Sequence, residues 1–223
     1  AAQAAGKIPL DVDAMGVDLL SLSAHKLYGP KGVGALYLRR REPRVRIEPQ
    51  LHGGGHEKGL RSGTLNVPGI VGFGAAAAIA AAELETEAAR LRELRDELYE
   101  GLRARLDGVQ LNGAREPRLA GNLNLSFAGV DADGLLMRLR TIALSSASAC
   151  STASESPSHV LAAMGLDAAR AAGALRFSLG RFTTGEEIAA TIAAVAAAVR
   201  ELRAADPRRL TLDTLEHARS GLA

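Results

Sequence analysis

The chain holds a single cysteine, Cys150, among 223 residues. One thiol rules out a disulfide framework, and any zinc or iron–sulfur site built from several cysteines of this chain. Excess charge is lacking too: 27 basic against 25 acidic residues leave a formal net charge of +2. Such a balance gives no electrostatic reason to expect nucleic acid or an anionic membrane as a partner. Long hydrophobic runs are also missing. The Ala-rich stretch Gly72–Ala82 is followed at once by Glu83, Glu85 and Glu87, and it is too short to cross a bilayer. No signal peptide is visible, so a cytoplasmic protein is expected. There is no internal repeat. The first residue is Ala1 rather than Met, and Ala1–Ala5 reads as the middle of an element, so residues upstream are expected to be missing.

What is present is 47% apolar, ample for a core. The length is long for one domain and short for two full ones. Val17–Leu22 and Gly32–Leu38 are short apolar runs that read as buried strands, with Gly29, Pro30 and Gly32 marking the turn between them. Arg39–Arg46 is a basic connector. His52–Gly63 is glycine-rich without apolar periodicity, hence a loop. Pro68–Ala82 reads as a helix of small residues, suited to a sheet face or a subunit contact. Glu83–Leu106 is the clearest helix: Leu84, Ala88, Leu91, Leu94, Leu98, Leu102 and Leu106 form one stripe, with the opposite side charged.

Further on, Asn122–Phe127 alternates as a strand does, and Asp131–Arg140 reads as a helix. Ile142–Leu144 reads as a short strand. Ser156–Met164 is a helix with Pro157 in its first turn, and Ala174–Leu179 is a strand. Thr184 with Glu187 three residues on is a capping box that opens a last helix running to about Ala204. Strands followed by helices argue for α/β layers. The expected division is 1–83, part of a larger sheet domain; 84–205, a smaller α/β domain; and 206–223, a charged, mobile tail.

Four features carry chemistry. Ser23-Ala24-His25-Lys26 sits where a strand ends and a glycine turn begins. A lysine there can reach a pocket at the carboxyl ends of strands. Lysine forms imines with carbonyl compounds when desolvation or a nearby cation activates it, and pyridoxal phosphate (PLP) is the commonest reason to keep one. Ser23 and His25 could hold its phosphate. An exposed lysine beside a histidine in a turn is the plainer reading of those four residues alone.

His52-Gly-Gly-Gly-His56 has a metal-like spacing, but its glycines argue against the helix such a pair needs, so no metal is expected. With Arg61 and Thr64 the loop is a better anion cradle, or else plain surface loop. The run Ser145–Ser154 lacks bulky apolar residues, so Cys150 within it should be accessible and mobile, unless it is packed at a tight helix start. Arg176 lies in an apolar strand, where an arginine needs an anion. A substrate carboxylate held by two parallel hydrogen bonds would serve, and so would an internal salt bridge.

The runs AAQAAGKIPLDV, DLLSLSAHKLYGPKGVGALY, GGGHEKGLRSGTLNVPGIVGF, SSASACSTAS and LRFSLGRFTTGEEI closely resemble the cysteine desulfurases of the IscS/NifS type, PLP enzymes akin to class V aminotransferases. The resemblance covers Ala1 to about Arg203, with five motifs in the family's order. It implies the PLP-dependent transferase fold of the aspartate aminotransferase type: here part of the large domain plus a smaller C-terminal α/β domain. It implies a homodimer that converts L-cysteine to L-alanine and keeps the sulfur as a persulfide for an iron–sulfur scaffold protein or a tRNA-thiolation carrier. Lys26 would be the Schiff-base lysine, also moving protons. Gln3 would bond the phenolic oxygen of PLP, Ser23 and His25 its phosphate, and Thr64 the phosphate of the neighbouring subunit. Arg176 would hold the substrate carboxylate and Cys150 would carry the persulfide.

Two departures stand out. Many relatives have Gly where Ala147 stands, and alanine restricts the backbone. The family's upstream half, with an Asp for the pyridine nitrogen and a His stacked on the ring, is absent, so the chain is expected to bind PLP weakly and to be inactive alone. The alternatives are an aminotransferase or selenocysteine lyase of the same fold, for which Cys150→Ala would be telling, and a non-catalytic binding module.

Overall fold

A computed structural model describes residues 1–42, 44–146 and 158–205. The chain divides into two compact units, Ala1–Ala88 and Ala89–Ala223. In the first, β1 (Leu19–Ser23) and β2 (Gly34–Leu38) form an antiparallel hairpin with Leu20 opposite Tyr37 and Ser23 opposite Gly34. The apolar runs do form strands, but not buried ones. Of the ten residues in the hairpin only Leu20 is buried, while Leu19 and Leu36 are about half exposed. Gly34 is obligatory in this pairing, because a Cβ there would lie 2.4 Å from the Leu22 carbonyl oxygen.

The helices expected over 68–82 and 83–106 are one element, α1 (Val67–Arg103). Nothing between Ala80 and Glu85 breaks a helix, since alanine and glutamate are both strong helix formers. Pro68 sits in the first turn, where its missing N–H costs nothing, and the Asn66 Oδ1 accepts the Gly69 N–H at 3.1 Å. The apolar stretch is therefore longer than Gly72–Ala82, for it gains Val67, Ile70 and Val71. By length and composition alone α1 could cross a membrane, a property it shares with core helices of soluble proteins.

The second unit is built on an antiparallel sheet ordered β3 (Val109–Leu111), β4 (Asn122–Phe127), β5 (Ala174–Ser178). Alternation gives it two unlike faces. Leu123, Leu125, Phe127, Leu175 and Phe177 share one face and are buried. They pack in one core with Leu98 and Leu102 of α1, Leu135 of α2 (Ala132–Arg138), and Ile188, Val195 and Val199 of α5 (Gly185–Ala204). Each such side chain contributes roughly 1.5–3 kcal/mol when fully buried. The capping box of α5 is formed: the Thr184 Oγ1 accepts the Glu187 N–H at 3.2 Å, and the Glu187 carboxylate accepts the Thr184 N–H at 2.9 Å.

The other face is polar. The Asn112 amide donates to the Asn124 Oδ1 at 2.7 Å and the Ser126 Oγ at 2.8 Å, and the Arg170 Nε donates to the Asn112 Oδ1 at 3.0 Å. Arg170 belongs to α4 (Ala168–Ala172), a five-residue helix that follows α3 (His159–Ala163).

Two expectations are corrected here. Ile142–Leu144 is not a strand. Its Ile142 N–H is spent on the Leu139 carbonyl at the end of α2 (2.9 Å), and only Ser145 pairs with β5, as an isolated bridge to Arg176. Nor are the charges of α1 all outside. Arg95 shares the stripe of Leu91 and Leu98 and is 2% exposed, held by Glu116 at 3.0 Å and Asp96 at 2.9 Å.

Candidate active site

The lysine turn follows β1 directly. Ala24–Leu27 makes one turn of 3-10 helix, closed by the Gly29 N–H on the Ala24 carbonyl (2.9 Å) and by Tyr28 at φ 65°. Ala24 and Leu27 are its buried anchors, which leaves His25 and Lys26 exposed and Ser23 half-buried at the strand end. Three of the expected site residues thus share four consecutive positions. Among the described residues none of their side chains forms a hydrogen bond or ion pair, so the hydroxyl, imidazole and amine all keep their bonding capacity.

The turn that holds the exposed Gln3 is tied to the same strand. The Ala1 ammonium donates to the Ser21 carbonyl at 2.9 Å, and the Ala4 and Ala5 N–H groups close a turn on the Ala1 carbonyl. Gly6 (φ 70°) then lets that turn sit against the lysine turn, since a Cβ at this position would be 3.5 Å from the Leu27 Cβ and 3.0 Å from the Ala80 Cβ. The next residue, Lys7, was not singled out from sequence. It is half-buried, and its ammonium is held below the ordinary lysine range, first by burial and then by the charge of Lys26, with Glu87 opposing. A lysine that follows a glycine turn in a small-residue segment was the available signal.

Thr64 is exposed on the loop leading into α1, and no hydrogen bond links it to the lysine turn. His52 and His56 flank a bent glycine stretch, with Gly55 at φ 71°, rather than a helical one. Among the described residues no three histidine, cysteine or acidic side chains gather as metal ligands would.

In the second unit Arg176 faces the polar side of the sheet opposite Asn124, and it is half-buried. This corrects the expectation of an arginine enclosed by apolar strand neighbours, because those point the other way. Its N–H donates to the Ser145 carbonyl at 2.8 Å. Among the described residues its guanidinium has no acidic partner, so the internal salt bridge weighed from sequence is not found among them. Cys150, with the rest of 147–157, lies outside the described residues, as does the tail 206–223. A groove of about 560 Å³ between β5 and α5, lined by Leu98, Ile142, Leu144, Phe177, Ile188 and Ala194, includes none of the expected site residues.

The chain is thus mixed α/β, with a lysine on a turn at a strand end that has no partner among the described residues. The class-V aminotransferase family matches residues 1–191. The chain belongs to that family and has the fold of its PLP-dependent transferases. It is 56% identical over 207 residues to a cysteine desulfurase IscS of Tolumonas auensis, covering 93% of this chain and 51% of that protein. Among solved structures, a NifS-like protein superposes with a TM-score of 0.77 at 40% identity, over 88% of this chain and 50% of the other. SspA in complex with cysteine superposes with a TM-score of 0.61 at 36% identity, over 82% of this chain and 50% of the other. The chain spans about half the length of the curated relatives it matches.

Proposed function

We propose that this chain carries the lysine-bearing part of a PLP-dependent cysteine desulfurase, which releases L-alanine from L-cysteine and holds the sulfur on Cys150 as a persulfide. The observation that carries the reading is the corner where β1 ends. Ser23, His25 and Lys26 stand there in sequence, beside the Gln3 turn, with no partner for any of the side chains among the described residues. That donor set fits PLP: an amine for its aldehyde carbon, a hydroxyl and an imidazole for its phosphate, and an amide for its phenolic oxygen. Bound there, PLP supplies an electron sink for the charge left when a proton leaves the substrate α-carbon. Cysteine as substrate is supported by the similarity to desulfurases and to a protein solved with cysteine bound.

The chain's own residues would divide the work as follows. Lys26 Nζ takes up the α-proton and returns it. Ser23 and His25 anchor the phosphate, and the Gln3 amide N–H holds the phenolic oxygen. Arg176 fixes the substrate carboxylate through two parallel hydrogen bonds. The Cys150 thiolate attacks the substrate sulfur; a new S–S bond forms, the C–S bond breaks, and its electron pair stays on carbon, which is protonated to give alanine. Thr64 binds phosphate in a neighbouring copy, so the working unit is a homodimer. Residues 1–83 belong to the large domain and 84–205 to the small one. The acceptor is an iron–sulfur scaffold or tRNA-thiolation carrier in the cytoplasm.

The test is an absorbance spectrum of the chain with PLP, against Lys26→Ala, followed by L-cysteine. A weak Lys26-dependent band, with no alanine formed by the chain alone, is the expected result; alanine and sulfur bound at Cys150 would show that the chain works without the family's upstream half. A spectrum identical in the two proteins removes Lys26 from the role given to it.

A further inference from the structure

The glycine-rich loop ahead of Thr64 closes on itself. The Ser62 N–H donates to the Leu51 carbonyl at 3.1 Å and joins its ends. Two side chains staple it from within. The buried Ser62 accepts the Gly55 N–H on Oγ at 3.3 Å, and His56 accepts the Gly63 N–H on Nδ1 at 3.3 Å. Between them the backbone passes through three left-handed residues, Glu57 (φ 52°), Lys58 (φ 59°) and Gly59 (φ 83°). Side chains disfavour that conformation, so surrounding bonds must hold it. Gly63 is gripped on both sides: its N–H by His56, and its carbonyl by the Arg61 Nη1 at 3.4 Å.

We propose that His56 is a positioning residue for Thr64: its Nδ1 fixes the Gly63 peptide, and with it the direction in which the chain enters Thr64. This rests on the reading of Thr64 as a phosphate ligand. The histidine pair in this loop then has unequal roles. His56 accepts a hydrogen bond through a neutral ring nitrogen, its proton standing on Nε2. His52 is exposed and takes no part in the staple. Asparagine presents an acceptor oxygen close to where Nδ1 stands, so His56→Asn should keep what His56→Leu loses.

The experiment uses the full chain. Exchange of the Gly63 and Thr64 amides is followed by NMR in the wild type, His56→Leu and His56→Asn, and PLP affinity is measured by equilibrium dialysis in the same proteins and in Thr64→Val. Exchange in His56→Leu should quicken about 2- to 10-fold, the range of one neutral hydrogen bond, with PLP affinity falling by a similar factor and both restored in His56→Asn. Unchanged exchange in His56→Leu, or His56→Asn behaving as His56→Leu does, overturns the proposal. So does full PLP affinity in His56→Leu when Thr64→Val has lost it. Full affinity in Thr64→Val is a separate result: it removes the phosphate role of Thr64, and this proposal with it.

Discussion

The Arg176 N–H donates to the Ser145 carbonyl at 2.8 Å, while its guanidinium bonds to nothing among the described residues. The backbone is held by strand pairing on both sides, to Asn124 and to Ser145. Only the charged end is left for a ligand. Ser145 also begins the serine- and alanine-rich run that contains Cys150, so that run starts beside Arg176.

This separation makes Arg176 testable. Arg176→Gln removes no side-chain bond made among the described residues, so unfolding free energy should stay within about 0.5 kcal/mol of wild type. In an enzyme completed by the family's upstream half, the KM for L-cysteine should rise roughly 10- to 100-fold, as loss of a charge-assisted bond implies. Urea unfolding and steady-state kinetics read the two quantities. A large drop in stability with unchanged KM would make Arg176 a structural residue instead.

Lys7 sets a pH dependence of stability. Its folded-state pKa lies below the ordinary 10.5 through burial and the Lys26 charge. Between that lowered value and 10.5 the folded chain has released a proton that the unfolded chain still binds, so stability rises with pH in this window. Below it, both states are charged and the full cost remains. Urea midpoints taken from neutral pH to pH 10.5 should climb in the wild type and climb less in Lys7→Met. Parallel curves would show that Lys7 is not the cause.

Glu116 acts in the opposite pH range. A hydrogen bond from the buried Arg95, with its charge, holds the Glu116 carboxyl below its ordinary 4.5. Its contribution is fully present above that value and is lost as pH falls through the lowered one. Glu116→Gln should flatten this acid limb and lower stability at neutral pH, because it leaves Asp96 as the remaining negative charge bonded to Arg95. Equal acid limbs in the two proteins would place the Arg95 compensation elsewhere.

Much of the second unit was legible because its signals are local. Asn122–Phe127 alternates cleanly and is a strand over those same residues, and Thr184 with Glu187 announces α5. Short elements were not legible. Val109–Leu111 is too brief for alternation to register, and the five residues of α4 span little more than one turn. Ile142–Leu144 looked like a strand because apolar composition cannot reveal that the Ile142 N–H is already taken by α2. In the lysine corner the turn residues were readable, since Gly29 and Pro30 punctuate it. The neighbouring Lys7 was not, because its burial depends on a segment folded back against Leu27 and Ala80.

Gly34 gives the lysine turn a fixed hinge point in chain geometry. The close approach of its α-carbon to the Leu22 carbonyl admits one amino acid out of twenty. A side chain there would push β2 out of step, and a slip of one residue would turn every β2 side chain to the opposite face. Ser23, His25 and Lys26 follow β1 without a break. Their placement is therefore insured by an atom that is absent, at a position eight residues from the lysine it serves.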